Sequence, residues 1–324
     1  MTGRAGRSPA HANHDETSPE GPEGPEGTEL DPFRLLELCT FPEPGSDLVC
    51  AVSGGPDSLA LLVLAVEAGC NVTAVHVDHG LRPGSGSEAD VVAQAARRCG
   101  AEFRAERVEV EPGGNLEARA RAARRAAVGE EAATGHTMDD QAETVMVNLL
   151  RGAGLDGLAG MRHGTQHPLL SLRRSDTRAL CRNVGLEPVE DPSNLDMRFV
   201  RNRVRHELLP LCSEIAGRDV VPLLARQAGI LQAEAELLDA LASDIDASDA
   251  RALRSAPTAL ARRATRRWLR SDGYPPDLAA VERVLAVARG EAPATDLAPG
   301  RRVRRSRGTL ASVPVEPIAP SDLR

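Results

Sequence analysis

The residues Leu48-Val49-Cys50-Ala51-Val52 form an apolar strand pattern that runs directly into Ser53-Gly54-Gly55-Pro56-Asp57-Ser58 and then into the helical run Leu59–Leu64. Two glycines let the backbone come close to an anion, the loop amides and hydroxyls converge on it, and the positive end of the following helix completes the site. A polyphosphate is the ligand that such a loop suits, and Asp57 is a carboxylate able to hold Mg²⁺ against it. Two glycines at a strand–helix junction would say little alone; the interleaved serines and aspartate carry the reading. The chain contains no lysine, so a Walker-type Gly-Lys-Ser/Thr loop is excluded.

Downstream the pattern alternates. Strands at Val72–Val77, Phe103–Val110 and Ala132–Gly135 are separated by helices at Glu88–Arg98 and Leu116–Val128, and a further helix follows at Asp139–Leu150. This alternation predicts an α/β fold with a parallel sheet covered on both faces. Ligands in such sheets sit at the carboxyl ends of the strands, so Ser53, Asp78 and His136 are expected around one cleft. Beyond Pro210 the texture changes: a long amphipathic helix, Val220–Leu241, then helices at Ala259–Arg270 and Leu278–Arg289 and a strand-like Arg302–Arg305. A smaller, mainly helical C-terminal domain is expected, with the long helix bridging to it.

The second motif is Gly135-His136-Thr137-Met138-Asp139-Asp140-Gln141-Ala142-Glu143-Thr144. Spacings of four and three put His136, Asp140 and Glu143 on one helix face. Helix capping accounts for one acid and leaves the other groups unexplained. Such a cluster can bind Mg²⁺, hold an ammonium group or take a proton from an attacking amine. On the helix before it, Glu117, Arg121 and Arg124 share a face, where arginines next to a phosphate loop would stabilise charge on a departing phosphate. His76 and Asp78 point to one side of their strand, where a carboxylate could orient a ribose or base.

Net charge is −8, yet residues 1–31 alone carry −5, leaving −3 for the rest. That first stretch, rich in Gly, Pro and Glu, is expected to be a disordered acidic tail. All 39 Lys-plus-Arg positions are Arg, and they cluster: Arg198, Arg201, Arg203 and Arg205, then Arg262–Arg270, then Arg301–Arg307. Several separate basic patches suit a long polyanion better than one small ligand. Aromatic content of 2% leaves few rings to stack on bases, so phosphate contacts and RNA shape would dominate recognition. Six widely spaced cysteines with no CxxC pair argue against a disulfide framework, a zinc knuckle or an iron–sulfur site. No apolar run reaches membrane-spanning length and no signal-peptide core is evident, so a cytoplasmic protein without membrane contact is expected.

Taken in order, Ser53–Ser58, His76–Arg82, the Glu117–Arg125 helix, Gly135–Thr144 continuing to Gly152, Pro168-Leu169-Leu170, Glu190–Asn194 and Arg201-Asn202-x-x-Arg205 resemble the tRNA(Ile)-lysidine synthases. These belong to the N-type ATP pyrophosphatase (PP-loop) superfamily. The resemblance implies an adenine nucleotide alpha hydrolase-like domain over 31–216, after a tail at 1–30, and a linker helix and tRNA-binding domain over 217–324. It implies ATP-dependent ligation of free L-lysine to C2 of the wobble cytidine of tRNA(Ile) with a CAU anticodon, through an adenylated cytidine. Ser53, Gly54, Gly55, Pro56, Asp57 and Ser58 would hold ATP, with Mg²⁺ on Asp57 and Asp140. Asp57, Arg121, His136, Asp140 and Glu143 would be catalytic; Arg124, Arg201 and Arg205 would contact tRNA. A homodimer is compatible with this reading. Two positions depart from the family pattern: Arg125 stands where Tyr is usual, and His167 where Arg usually precedes Pro-Leu-Leu. The rival readings are a PP-loop tRNA thiolase of the 2-thiocytidine type, which would use paired cysteines, and a catalytically idle tRNA-binding protein.

Overall fold

The structure, a computed structural model, describes residues 32–78, 85–108, 123, 125–189, 192–270, 276–297 and 300–314. The acidic tail and the candidate residues Arg121 and Arg124 lie outside the described residues, as do His79–Arg82, Glu117 and Asp191.

After a short helix α1 (Pro32–Leu36), the chain lays down β1 (Asp47–Ala51), α2 (Pro56–Glu67), β2 (Asn71–Asp78), α3 (Ser85–Cys99), β3 (Glu102–Arg107) and β4 (Ala133–Thr134). These strands form one parallel sheet in the order β3-β2-β1-β4, with Cys50 of β1 opposite both Ala74 and Ala133. The order places β2 and β3 on one side of β1 and β4 on the other. Loops leaving β1 and β4 therefore diverge, and the crevice between them is where a parallel sheet presents its ligand site.

Helix α2 is apolar all round, with every residue from Ser58 to Ala65 buried, which is the pattern of a helix enclosed by its own domain. It packs among β1, β2, α3 and a later helix, with Leu59, Leu61, Leu62 and Leu64 in the main core. Leucine, valine and alanine fill that core, as the shortage of aromatics requires.

From β4 the chain continues through α4 (Met138–Leu150), α5 (Leu155–Leu158), α6 (Arg174–Asn183), α7 (Val200–Arg203), one π-helical turn (Val204–Leu208) and α8 (Leu209–Ala216). The π turn precedes Pro210, which has no N–H to give one turn back. Helix α9 (Val221–Ser243) buries Val221, Ala228, Ala235 and Ala242, one residue in seven, so a single stripe of small side chains faces its neighbours. It packs on α4 and α5 and, further along, on α11 (Thr258–Arg270), and so bridges two cores as expected.

The second core holds Ala242, Leu253 of α10 (Ala250–Ser255), Leu269, and Val281, Val284 and Val287 of α12 (Leu278–Arg289). Beside the helices stands an antiparallel three-stranded sheet, β5 (Ala294–Leu297), β6 (Arg301–Ser306) and β7 (Thr309–Pro314), where only Arg302–Arg305 was expected to be extended. Of its side chains Val303 and Leu310 are the buried ones, and arginines flank Val303, so little apolar alternation marked these strands. Among the described residues no helix is long and apolar enough to cross a membrane.

Candidate active site

The loop after β1 has the shape its composition requires. Gly54 takes φ of 86°, a backbone region open to glycine at little cost, and its carbonyl accepts the Val189 N–H at 2.9 Å. Gly55 caps α2, and Pro56 occupies the first turn, where an N–H would have no partner. The Ser53 N–H donates to Ser58 Oγ at 3.1 Å, and the two serine hydroxyls face each other at 3.3 Å. Hydroxyls and first-turn amides thus converge on one point at the positive end of α2.

Gly135 brings the second motif against this loop. A Cβ there would lie 2.5 Å from the Asp57 carbonyl oxygen and 2.9 Å from the Ser58 nitrogen, so glycine alone permits the approach. His136 follows immediately, half-buried, and α4 starts at Met138 with Thr137 as its cap. The Thr137 N–H and hydroxyl both donate to Asp140 Oδ2 at 2.9 Å.

Asp140 and Glu143 do share a face, and what they meet there is arginine. Arg174 reaches Asp140 Oδ1 at 3.0 Å, Glu143 Oε1 at 3.2 Å and Asp57 at 3.5 Å. Arg201 donates to Glu143 Oε2 at 2.8 Å and Asp140 Oδ1 at 3.0 Å, and Arg205 to Glu143 Oε1 at 2.6 Å. Glu143 is 0% exposed, with both oxygens accepting from guanidiniums. Its geometry is that of an anchor for three arginines. Arg201 and Arg205, expected at the RNA, hold these internal carboxylates, and Arg205 also borders the cavity described below.

Burial by itself would raise the Asp140 carboxyl; Arg174 and Arg201, with His136 and the Thr137 amide, outweigh it and bring it down to about 2. Asp57 moves the other way. Burial pushes its pKa up more than the Thr177 hydroxyl and Arg174 pull it down. As metal donors the two acids differ accordingly. Both Asp140 oxygens are filled by protein donors, so the expected Mg²⁺ contact there does not fit. Asp57, at the phosphate loop, fits an ion held by one carboxylate, phosphate oxygens and water. Among the described residues no three His, Cys, Asp or Glu side chains converge into a cage.

Sequence reasoning missed Arg173, which caps α6, and Arg174 and Thr177 within it. Arg173 donates to both Asp139 oxygens at 3.1 Å and also to Asp219. A signal existed: an arginine pair at a helix N-terminus opposes the helix dipole, so carboxylates from elsewhere must compensate it. His76, by contrast, is buried with Nδ1 at 3.0 Å from the Val52 carbonyl, joining β2 to the residue that follows β1.

Beside the cluster opens a cavity of about 530 Å³ lined by Arg174, Arg178, Arg182, Arg205, His206 and Leu195, among others. Next to it the chain exposes Leu195, Met197, Phe199 and Val200. The C-terminal arginines are mostly engaged: Arg262 with Glu282, Arg263 with Asp156 and Asp239, Arg302 with Asp296. The cysteines are dispersed, and burial pushes Cys39 and Cys50 up to about 12 and Cys181 to about 11, so they stay protonated at neutral pH.

Comparison with known proteins agrees with this arrangement. The PP-loop domain family matches residues 33–212, and the TilS substrate binding domain family matches residues 249–311. The tRNA(Ile)-lysidine synthase of Nocardia farcinica is 44% identical over 270 residues, covering 77% of this chain and 85% of that protein. That of Rhodococcus jostii is 40% identical over 291 residues, covering 82% and 90%. Among solved structures, a U34-tRNA thiolase from Methanococcus maripaludis with its 4Fe-4S cluster superposes with a TM-score of 0.51 at 17% identity, over 62% of this chain and 78% of that one. That likeness concerns the fold alone. An intact phosphate loop, a histidine and acid block packed against it, and a separate substrate-binding module are therefore the parts of one enzyme, and the chain belongs to the tRNA(Ile)-lysidine synthase family.

Proposed function

We propose that this enzyme joins the amine of free L-lysine to C2 of the wobble cytidine, position 34, of tRNA(Ile) with a CAU anticodon, a C–N ligation that shifts codon reading from AUG to AUA. The observation that carries the reading is Gly135 packed against Asp57 and Ser58, which sets His136 beside the polyphosphate loop. In the first step the cytidine O2 attacks the α-phosphorus of ATP and pyrophosphate leaves. In the second the lysine amine adds at C2 and loses a proton, and AMP departs with the former O2.

The chain's residues divide this work. Ser53, Gly54, Gly55, Pro56 and Ser58 hold the pyrophosphate portion with hydroxyls and first-turn amides. Asp57 would hold Mg²⁺, which neutralises charge on the phosphate oxygens. Arg174, next to Asp57, is the cation best placed for charge that develops on the α-phosphate, with Arg121 proposed for the same task. His136 takes the proton of the amine. Asp140 and Glu143 hold the three arginines in place and keep their charge balanced. Arg178, Arg182 and His206 line the cavity by which the RNA backbone would enter, with Arg124 proposed alongside them. The exposed Phe199 offers a ring for an unstacked base.

The thiolase reading has no support in the dispersed thiols, three of them buried. The idle-binder reading leaves the intact loop unexplained. The test is mass analysis of nucleosides after reaction of a tRNA(Ile) CAU transcript with ATP, Mg²⁺ and labelled lysine. We expect lysine-dependent AMP release and a cytidine heavier by lysine less one water. A thiolated base, or AMP release without incorporation, would sink the proposal. Sedimentation of the active enzyme decides the homodimer: a fully active monomer removes it.

A further inference from the structure

Thr134 closes β4, and its hydroxyl has three neighbours. These are the Gln166 backbone carbonyl at 3.1 Å, Nδ1 of His136 at 2.7 Å and Nδ1 of His167 at 2.8 Å. A hydroxyl has one proton to give and two lone pairs to accept with, whereas a carbonyl oxygen only accepts. If all three contacts are satisfied, the single proton goes to Gln166 and both imidazoles donate from Nδ1. Backbone bonds hold the same corner: the Thr134 N–H donates to the Gln166 carbonyl at 2.9 Å, and the His167 N–H to the Gly164 carbonyl at 3.0 Å. The two rings stand edge to face, with centroids 5.1 Å apart and planes at 85°.

We propose that Thr134 and His167 are positioning residues that fix His136 as its Nδ1–H tautomer and set its ring orientation, so that Nε2 is the nitrogen that acts on the attacking amine. The inference rests on the role given to His136 above. Two features support it. An imidazole whose Nδ1–H is held by an oxygen has both its tautomer and its ring orientation determined, whereas a ring without that contact divides between two tautomers. His167 is suited to be a neutral partner, since burial and then the nearby Arg125 disfavour its charged form.

The experiment is nitrogen NMR of the full-length protein carrying ¹⁵N-histidine, at a pH where the rings are neutral, alongside steady-state kinetics. In the unsubstituted protein His136 should show the Nδ1–H signature. Thr134→Val should lose that signature and lower kcat by roughly ten- to a hundred-fold, with the KM for ATP unchanged. Thr134→Ser should recover both. An Nε2–H signature in the unsubstituted protein would overturn the proposal, as would Thr134→Val with tautomer and kcat intact. Thr134→Ala serves if the valine variant does not fold. His136→Gln separates the two claims: full activity there would remove His136 from the chemistry while the tautomer assignment stood.

Discussion

Glu143 lies fully buried at the back of the crevice and accepts from Arg174, Arg201 and Arg205, whereas Asp296 on the C-terminal sheet is well exposed and, among the described residues, accepts from Arg302. Both are arginine–carboxylate contacts of ordinary length or shorter, yet they do different things. On the exposed sheet, water competes for each charge and salt screens it, so the pair adds little. In the crevice each charge has lost its water, so each holds the others in one arrangement and the loss of one leaves the rest uncompensated. The lesson is that an arginine count in the sequence does not distinguish a patch that waits for RNA from a framework that positions a site. Burial of the carboxylate decides it.

The comparison breaks first, if it breaks, at Glu143. Glu143→Ala should cost about 3–5 kcal/mol, seen as a fall in the urea midpoint, because three guanidiniums lose their shared acceptor. A midpoint no lower than that of an exposed-pair variant would mean that the cluster is not coupled. Gly135→Ala comes next. A Cβ 2.5 Å from the Asp57 carbonyl forces the two loops apart, and we expect about 1–3 kcal/mol of destabilisation with a larger proportional loss of ATP turnover. Stability loss without any loss of turnover would detach Gly135 from the site.

Arg263 lies between the two extremes. It is 11% exposed and joins α11 to Asp239 on α9 and Asp156 on α5, so Arg263→Ala should cost about 1–2 kcal/mol and loosen the two halves from each other. Acid sharpens the contrast without mutation. Asp140 is depressed to about 2, and Asp139, where Arg173 and the Arg174 amide outweigh burial, is also lowered. Their contribution is complete above the ordinary carboxylate range, near pH 4, and is lost as pH falls toward 2. Asp57, raised by burial, acts in the opposite sense and is relieved by protonation. Trp268, the single tryptophan, packs against the C-terminal core and reports that region alone. Circular dichroism should therefore change at a higher pH than Trp268 fluorescence; coincident transitions would show that the two regions fail together. Smallest of all, Arg302→Ala should leave the urea midpoint where it is in the unsubstituted protein.

Much of the crevice was legible in advance. Ser53–Ser58 lies on consecutive residues, so its loop geometry follows from local backbone preferences, and Gly135–Glu143 is likewise one continuous segment. Arg174 and Thr177 were not legible in that way. They come from a helix more than a hundred residues after Asp57, and nothing local to α6 names the acids that they meet. The β6–β7 strands escaped for another reason: their buried face amounts to Val303 and Leu310, too little alternation to stand out among arginines.

By itself, then, the sequence determined the parallel sheet, the phosphate loop, the histidine and acid block, and membership of a lysidine synthase family, because each is written in a short run whose spacing maps onto one turn, strand or helix face. Only the tertiary structure decided which charges are neutralised inside. It gave Glu143 the part of an anchor, made Arg201 and Arg205 its partners, and set the Thr134 hydroxyl between two histidines. The physical reason is desolvation. An ionised or hydrogen-bonding group acquires its role from what replaces the water around it, and those replacements come from segments far apart in the chain.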